Sequence, residues 1–138
     1  MKDKEIIISA QKLLKEKRYI EAIKMTNNLK SHNEQMVAAT NKIKGWCYYY
    51  AYKEDENKKT ENLEKAEEHF RLALIKMKNI KGVISLLNGL PLVLWMQNKK
   101  EEAWEVMDKA IKEFPETVSL WNTRRKLYDL ENNFNQPL

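Results

Sequence analysis

The sequence holds a single cysteine, three glycines, three prolines and two histidines. One cysteine excludes an intramolecular disulfide framework, and two histidines leave a His/Cys zinc site short of ligands. So little glycine and proline does not supply the many tight turns of a sheet-rich fold. It also argues against the glycine-rich loops that cradle nucleotides. Long apolar runs are missing as well. Only Ile6, Ile7 and Ile8 precede Ser9 at the N-terminus, too short a run for the apolar core of a secretory signal. The greasiest stretch, residues 83–96, is interrupted by Ser85, Asn88, Gly89 and Pro91. It falls short of the ~20 apolar residues of a membrane helix. A cytoplasmic protein that does not engage a membrane is the expectation.

The 138 residues, 43% apolar and 33% charged, suit one folded domain with a single core. Helical periodicity dominates. Ile6, Ala10, Leu13 and Leu14 recur at helical spacing; the pattern restarts at Tyr19, Ala22, Ile23, Thr26 and Leu29. Residues 31–33 read as a connector, and residues 36–52 as a third helix. Leu63, Ala66, Phe70, Ala73, Leu74 and Met77 line a fourth; residues 83–96 form a fifth. Ala103, Met107, Ala110, Ile111 and Phe114 line a sixth, stopped by Pro115, and residues 118–130 a seventh. No segment alternates like a strand, so the fold class is all-α. The tail, residues 132–138, is polar and expected to be flexible.

The helices pair, and the pairs repeat. The second helix of each pair carries Ala22/Thr26/Leu29, Ala66/Phe70/Ala73 or Ala103/Met107/Ala110, with the alanines 44 and 37 residues apart. A small residue lets two backbones approach and a larger one fills the adjoining gap. Gly45 and Tyr48 are three apart, Trp121 and Tyr128 seven apart, and Pro115 follows Ala103 by twelve. In these residues the chain resembles the tetratricopeptide repeat family, whose units recur at ~34 residues. The resemblance implies a right-handed α-solenoid of antiparallel helix pairs, about seven helices in all. Repeats fall at about residues 3–36, 37–80 and 83–117, with a capping helix at 118–131 and the tail beyond. Two departures stand out. Pro91 occupies a slot for a small residue, so its helix is expected either to kink or to break near Gly89. The charged stretch 52–62 is an insertion, read as a helix extension plus a loop.

In such a stack the first helix of each pair lines a concave groove. The expected wall is Gln11, Leu14 and Lys15, then Lys42, Trp46, Tyr49 and Tyr50, then Asn88, Leu92, Trp95 and Met96, then Asn122 and Lys126. Tryptophan and tyrosine give large contact area at low side-chain entropy cost, which suits a peptide-binding wall. Some family members clamp a C-terminal carboxylate with lysine, asparagine and arginine on these helices. The corresponding slots here hold Ile7, Gln11, Ile43, Ser85 and Gly89, so that mode is not expected.

The formal charge of +5 is unevenly spread. Residues 71–100 hold six basic residues and no acid, while residues 54–70 hold three basic and seven acidic. A basic excess invites phosphate contacts, yet no recognised nucleic-acid motif accompanies it. Catalysis lacks a constellation: His32, His69 and Cys47 have no partners at triad or metal spacing. No enzyme activity, metal or cofactor is expected. The expected function is protein–protein interaction, binding a peptide or partner helix in an aromatic and basic groove. Alternatives are a small chaperone for a partner protein, a nucleic-acid-contacting solenoid, and a homo-oligomer stacked through the Trp121 face.

Overall fold

In the computed structural model, residues 1–135 are described, with side chains through residue 133. They form seven helices and no strand: α1 (Asp3–Lys15), α2 (Tyr19–Thr26), α3 (Glu34–Glu54), α4 (Thr60–Lys76), α5 (Ile80–Met96), α6 (Lys100–Glu113) and α7 (Val118–Asn135). The all-α class and the helix count agree with the sequence reading. Among the described residues, no helix touches another more than two places away in chain order. Nor is any of these helices long and apolar enough to cross a membrane.

The ends of the helices follow local chemistry. The α2 helix stops at Thr26, three residues short of Leu29, where the Thr26 hydroxyl donates to the Ile23 carbonyl at 2.6 Å. Asn33 caps α3 by accepting from the backbone N–H groups of Gln35 and Met36, and Asn79 caps α5 by accepting from Gly82. The charged insertion is mostly helix. It extends α3 to Glu54 and starts α4 at Thr60, so only residues 55–59 remain as a connector. The α7 helix runs past the expected cap, through residues 132–135, because neither glycine nor proline interrupts it there. The rest of the expected tail, residues 136–138, lies outside the described residues.

Two connectors share one backbone conformation. After α1, Glu16 (φ −81°), Lys17 (φ 64°) and Arg18 (φ −98°) turn the chain. After α5, Gln97 (φ −87°), Asn98 (φ 67°) and Lys99 (φ −95°) do the same. In each, the third residue donates back across the turn: Arg18 N–H to the Leu13 carbonyl and Lys99 N–H to the Leu94 carbonyl, both at 2.9 Å. This is the paired hydrogen-bond cap of a helix that ends in a left-handed residue. Ala22 and Ala103 stand four residues beyond Arg18 and Lys99, each donating to that residue's carbonyl at 3.0 Å.

Packing centres on Phe70, which is fully buried between α3 and α5. A Cβ at Gly45 would stand 2.5 Å from its ring, and one at Gly89 2.7 Å. These two glycines open the slot that the ring fills. The core has two parts. A large one joins α3 through α7 around Phe70, Leu86, Leu94, Met107, Leu120 and Leu127. A small one, Ala10, Ala22, Ile43 and Cys47, seats α1 and α2 on α3. The α5 helix passes unbroken through Pro91, which is fully buried. The proline forgoes one helical hydrogen bond but fills core space with apolar ring.

Glu67 ties α4 to the start of α6. Its carboxylate accepts from Arg71 Nε at 2.8 Å, Lys99 Nζ at 2.8 Å and Gln97 Nε2 at 2.9 Å, and Arg71 also pairs with Glu102. Burial pulls this carboxyl up, but the hydrogen bonds from Lys99, Arg71 and Gln97 outweigh it and hold Glu67 below the usual range.

Candidate functional site

A cleft of about 530 Å³ opens where α3, α5 and α7 run side by side. Helical spacing builds each wall. From α3 come Trp46, Tyr49, Tyr50 and Lys53; from α5, Lys81, Ile84, Ser85, Asn88 and Leu92; from α7, Ser119, Asn122, Thr123 and Lys126. The α3 wall is aromatic and mutually braced. Trp46 stacks on Tyr50 with centroids 5.6 Å apart, Tyr50 stacks on Tyr19 at 5.8 Å, and Trp46 meets Tyr49 edge-on at 5.5 Å. Behind the wall, Trp46 meets Phe70 at 5.2 Å, so the cleft surface is anchored directly in the core.

The floor and far wall are polar and internally bonded. Trp46 Nε1 donates to Ser85 Oγ at 2.9 Å. Thr123 Oγ1 donates to Asn88 Oδ1 at 2.6 Å, and Asn88 Nδ2 donates to Ser119 Oγ at 3.1 Å, which joins α5 to α7. The Ser85 and Ser119 oxygens accept in these bonds, so each hydroxyl hydrogen remains able to donate. Burial pushes the Tyr49 phenol up to about 12, keeping it protonated and a donor. Lys53, whose ammonium stands 5.4 Å over the Tyr49 ring, Lys81 and Lys126 supply positive charge. Among the described residues, no carboxylate lines this cleft. The arrangement offers a flat apolar wall, several donors and unopposed positive charge. It favours a ligand with an apolar surface and a negative group.

A second recess, about 590 Å³, continues past Trp46, Tyr50 and Lys53 toward α1, where Leu14 and Lys15 line it. Seven of the sequence-predicted groove residues therefore meet in the main cleft: Trp46, Tyr49, Tyr50, Asn88, Leu92, Asn122 and Lys126. Leu14 and Lys15 stand in its extension. Four do not line either recess. Gln11 is half-buried one turn before Leu14 on α1. Lys42 lies one turn before Trp46, where burial lowers its pKa below the ordinary value. Trp95 is only 9% exposed in the core at the end of α5, with the Lys100 ammonium 5.0 Å over its ring. Gln11 and Lys42 lie one turn short of the lining residues on their helices, whereas Trp95 is taken up by the core. Met96 faces a different recess, beside Leu63 and Glu67.

The sequence reading omitted Lys53, Lys81, Ile84, Ser85, Ser119 and Thr123. A signal for them exists: 46/49/50/53, 81/84/85/88/92 and 119/122/123/126 each follow three-and-four spacings. Lys53 was obscured by its place in the charged insertion.

The other groups with chemical potential are engaged elsewhere. His69 Nδ1 is 2.9 Å from Asn41 Oδ1, and its ring stacks on Tyr48 at 5.6 Å. Burial, with Lys44 nearby, holds its pKa below the ordinary value. Cys47 is fully buried in the small core, and burial pushes its thiol up to about 12. Comparison with protein-family models, curated proteins and solved structures gave no match.

Proposed function

We propose that this chain is a protein-interaction module, a tetratricopeptide-like stack of helix pairs whose α3–α5–α7 cleft binds an acidic peptide with apolar anchors. The stack reading is supported by the duplicated connectors at residues 16–18 and 97–99 and by contacts confined to near neighbours in chain order. The observation that carries the binding reading is the pairing of an aromatic wall with three lysines and no facing carboxylate. The braced rings lose little side-chain freedom on binding, so more of the contact energy reaches the affinity. A phosphate-backbone partner is less well supported. In the acid-free stretch 71–100, Arg71 and Lys99 pair with Glu67, and Lys76 pairs with Glu34 at 3.2 Å. Those cations are partly neutralised before any phosphate arrives.

The test is fluorescence anisotropy with two labelled peptide pools of matched length. One mixes glutamate with leucine and phenylalanine; the other replaces every glutamate with lysine. The acidic pool binds and the basic pool does not. Tyr50→Ala and Lys126→Glu each weaken binding about tenfold, or ~1.4 kcal/mol, with helical circular dichroism unchanged. Trp46 and Tyr49 are poor sites for this test, because one packs on Phe70 and the other is only 4% exposed. Equal binding of both pools sinks the reading.

A further inference from the structure

The α7 helix carries a second face, separate from the cleft. Among the described residues it contacts α5 and α6 alone. Val118, Trp121 and Tyr128 are left 71%, 46% and 56% exposed. Arg125, Asp129 and Asn132 are exposed on the same stripe. At about 100° per residue these six fall within a sector of roughly 100°. The cleft residues Ser119, Asn122, Thr123 and Lys126 project along an adjacent edge of the helix.

Trp121 is fixed although exposed. Its indole N–H donates to the Pro115 carbonyl at 2.8 Å. The Arg124 guanidinium stands 5.9 Å from its ring and 5.6 Å from that of Trp104, between the two. A large ring already held in place and already satisfied as a donor gives up little entropy on docking, which is the character of an interface anchor.

The charges on this stripe are of opposite sign and self-complementary. Arg125 and Asp129 are one turn apart, and neither has an ion-pair partner among the described residues. We propose that the Val118/Trp121/Arg125/Tyr128/Asp129 face of α7 is a homodimer interface, closed by a second copy of this chain lying antiparallel about a two-fold axis. An axis near residue 127 sets Arg125 opposite the second copy's Asp129, and by symmetry Asp129 opposite the second copy's Arg125. Tyr128 then lies close to the axis and Trp121 covers the Asn132 end. A parallel pair would instead set Arg125 beside its own copy, and like charges that close are repulsive. A two-fold interface is self-complementary by construction, and a helix face bearing one base and one acid a turn apart meets that requirement. None of the stripe residues lines the cleft, and self-association is read without any peptide, so this inference is tested independently of the peptide-binding reading.

Sedimentation velocity of the full chain, from low micromolar to near-millimolar concentration, tests it. One helix face is a small interface, so a reversible monomer–dimer equilibrium in the micromolar range is expected. Trp121→Ala raises the dissociation constant about tenfold or more. Arg125→Asp and Asp129→Arg each leave a monomer with unchanged helical circular dichroism. Mixing these two variants restores a dimer, and so does combining them in one chain. A wild-type chain that stays monomeric throughout overturns the proposal. So does a dimer indifferent to either charge reversal, or a combined variant that fails to reassociate.

Discussion

Lys17 holds a backbone conformation that its side chain disfavours. Its φ of 64° is left-handed, a region that costs a residue with a Cβ roughly 1–2 kcal/mol. Glycine has no such penalty but loses more freedom on folding, by roughly 0.5–1 kcal/mol. The first effect is the larger, so Lys17→Gly is expected to stabilise the chain by up to about 1 kcal/mol in urea unfolding. Asn98, in the matching turn after α5, should gain less, because asparagine tolerates this region better. A destabilised Lys17→Gly would mean that the turn is held by something other than the cap. At this scale the sequence is only partly readable. The break in periodicity at residues 15–18 marks where the chain turns, but no glycine announces the left-handed residue. Trp95 shows the converse: its spacing places it on the right stripe, while its burial depends on what α6 brings over it.

At the scale of the helix, Gly45 shows two effects in competition. Alanine at an interior helix position gains about 1 kcal/mol over glycine in propensity. At Gly45 the added Cβ would stand 2.5 Å from Phe70 Cδ1 and 2.6 Å from Cε1, against a fully buried ring with no room to swing. Overpacking of this kind costs about 1–3 kcal/mol. Gly45→Ala is therefore expected to lower stability by up to about 2 kcal/mol net of the propensity gain. Leucine at position 70 in that background should recover part of the loss, because its flexible end can yield. Thermal unfolding of the single and double variants reads the coupling directly; additive effects would show that the two positions do not share a slot. Gly45 is visible in the sequence as a small residue in a repeat, and Phe70 as a large one in the next helix. Their meeting is a tertiary fact. Pro91 is the clearer example of the same limit. A proline in a helical pattern announces a kink or a stop, and burial in an apolar core lets α5 run on through it.

At the scale of the whole molecule, helix number and order are readable because each apolar stripe is local. The cleft is less readable, because Lys53, Lys81 and Lys126 come from three helices spread over most of the chain. Their convergence depends on axial register, which the long α3 sets and periodicity alone does not report. The division of the core has a further outcome. The pair α1–α2 rests on its own small cluster, with Cys47 at the joint. Neighbour-only packing lets an end pair open while the remaining helices stay assembled. The thiol, raised to about 12 and sealed in the folded chain, then becomes a clock. Alkylation of Cys47 in native buffer should proceed with an opening free energy clearly below that of global unfolding, and Ala22→Gly should quicken it more than a comparable lesion in α6. Equal free energies would mean that the chain opens only as a unit. The one cysteine thus times the release of the N-terminal helices, a motion no other side chain here would mark by forming a covalent bond.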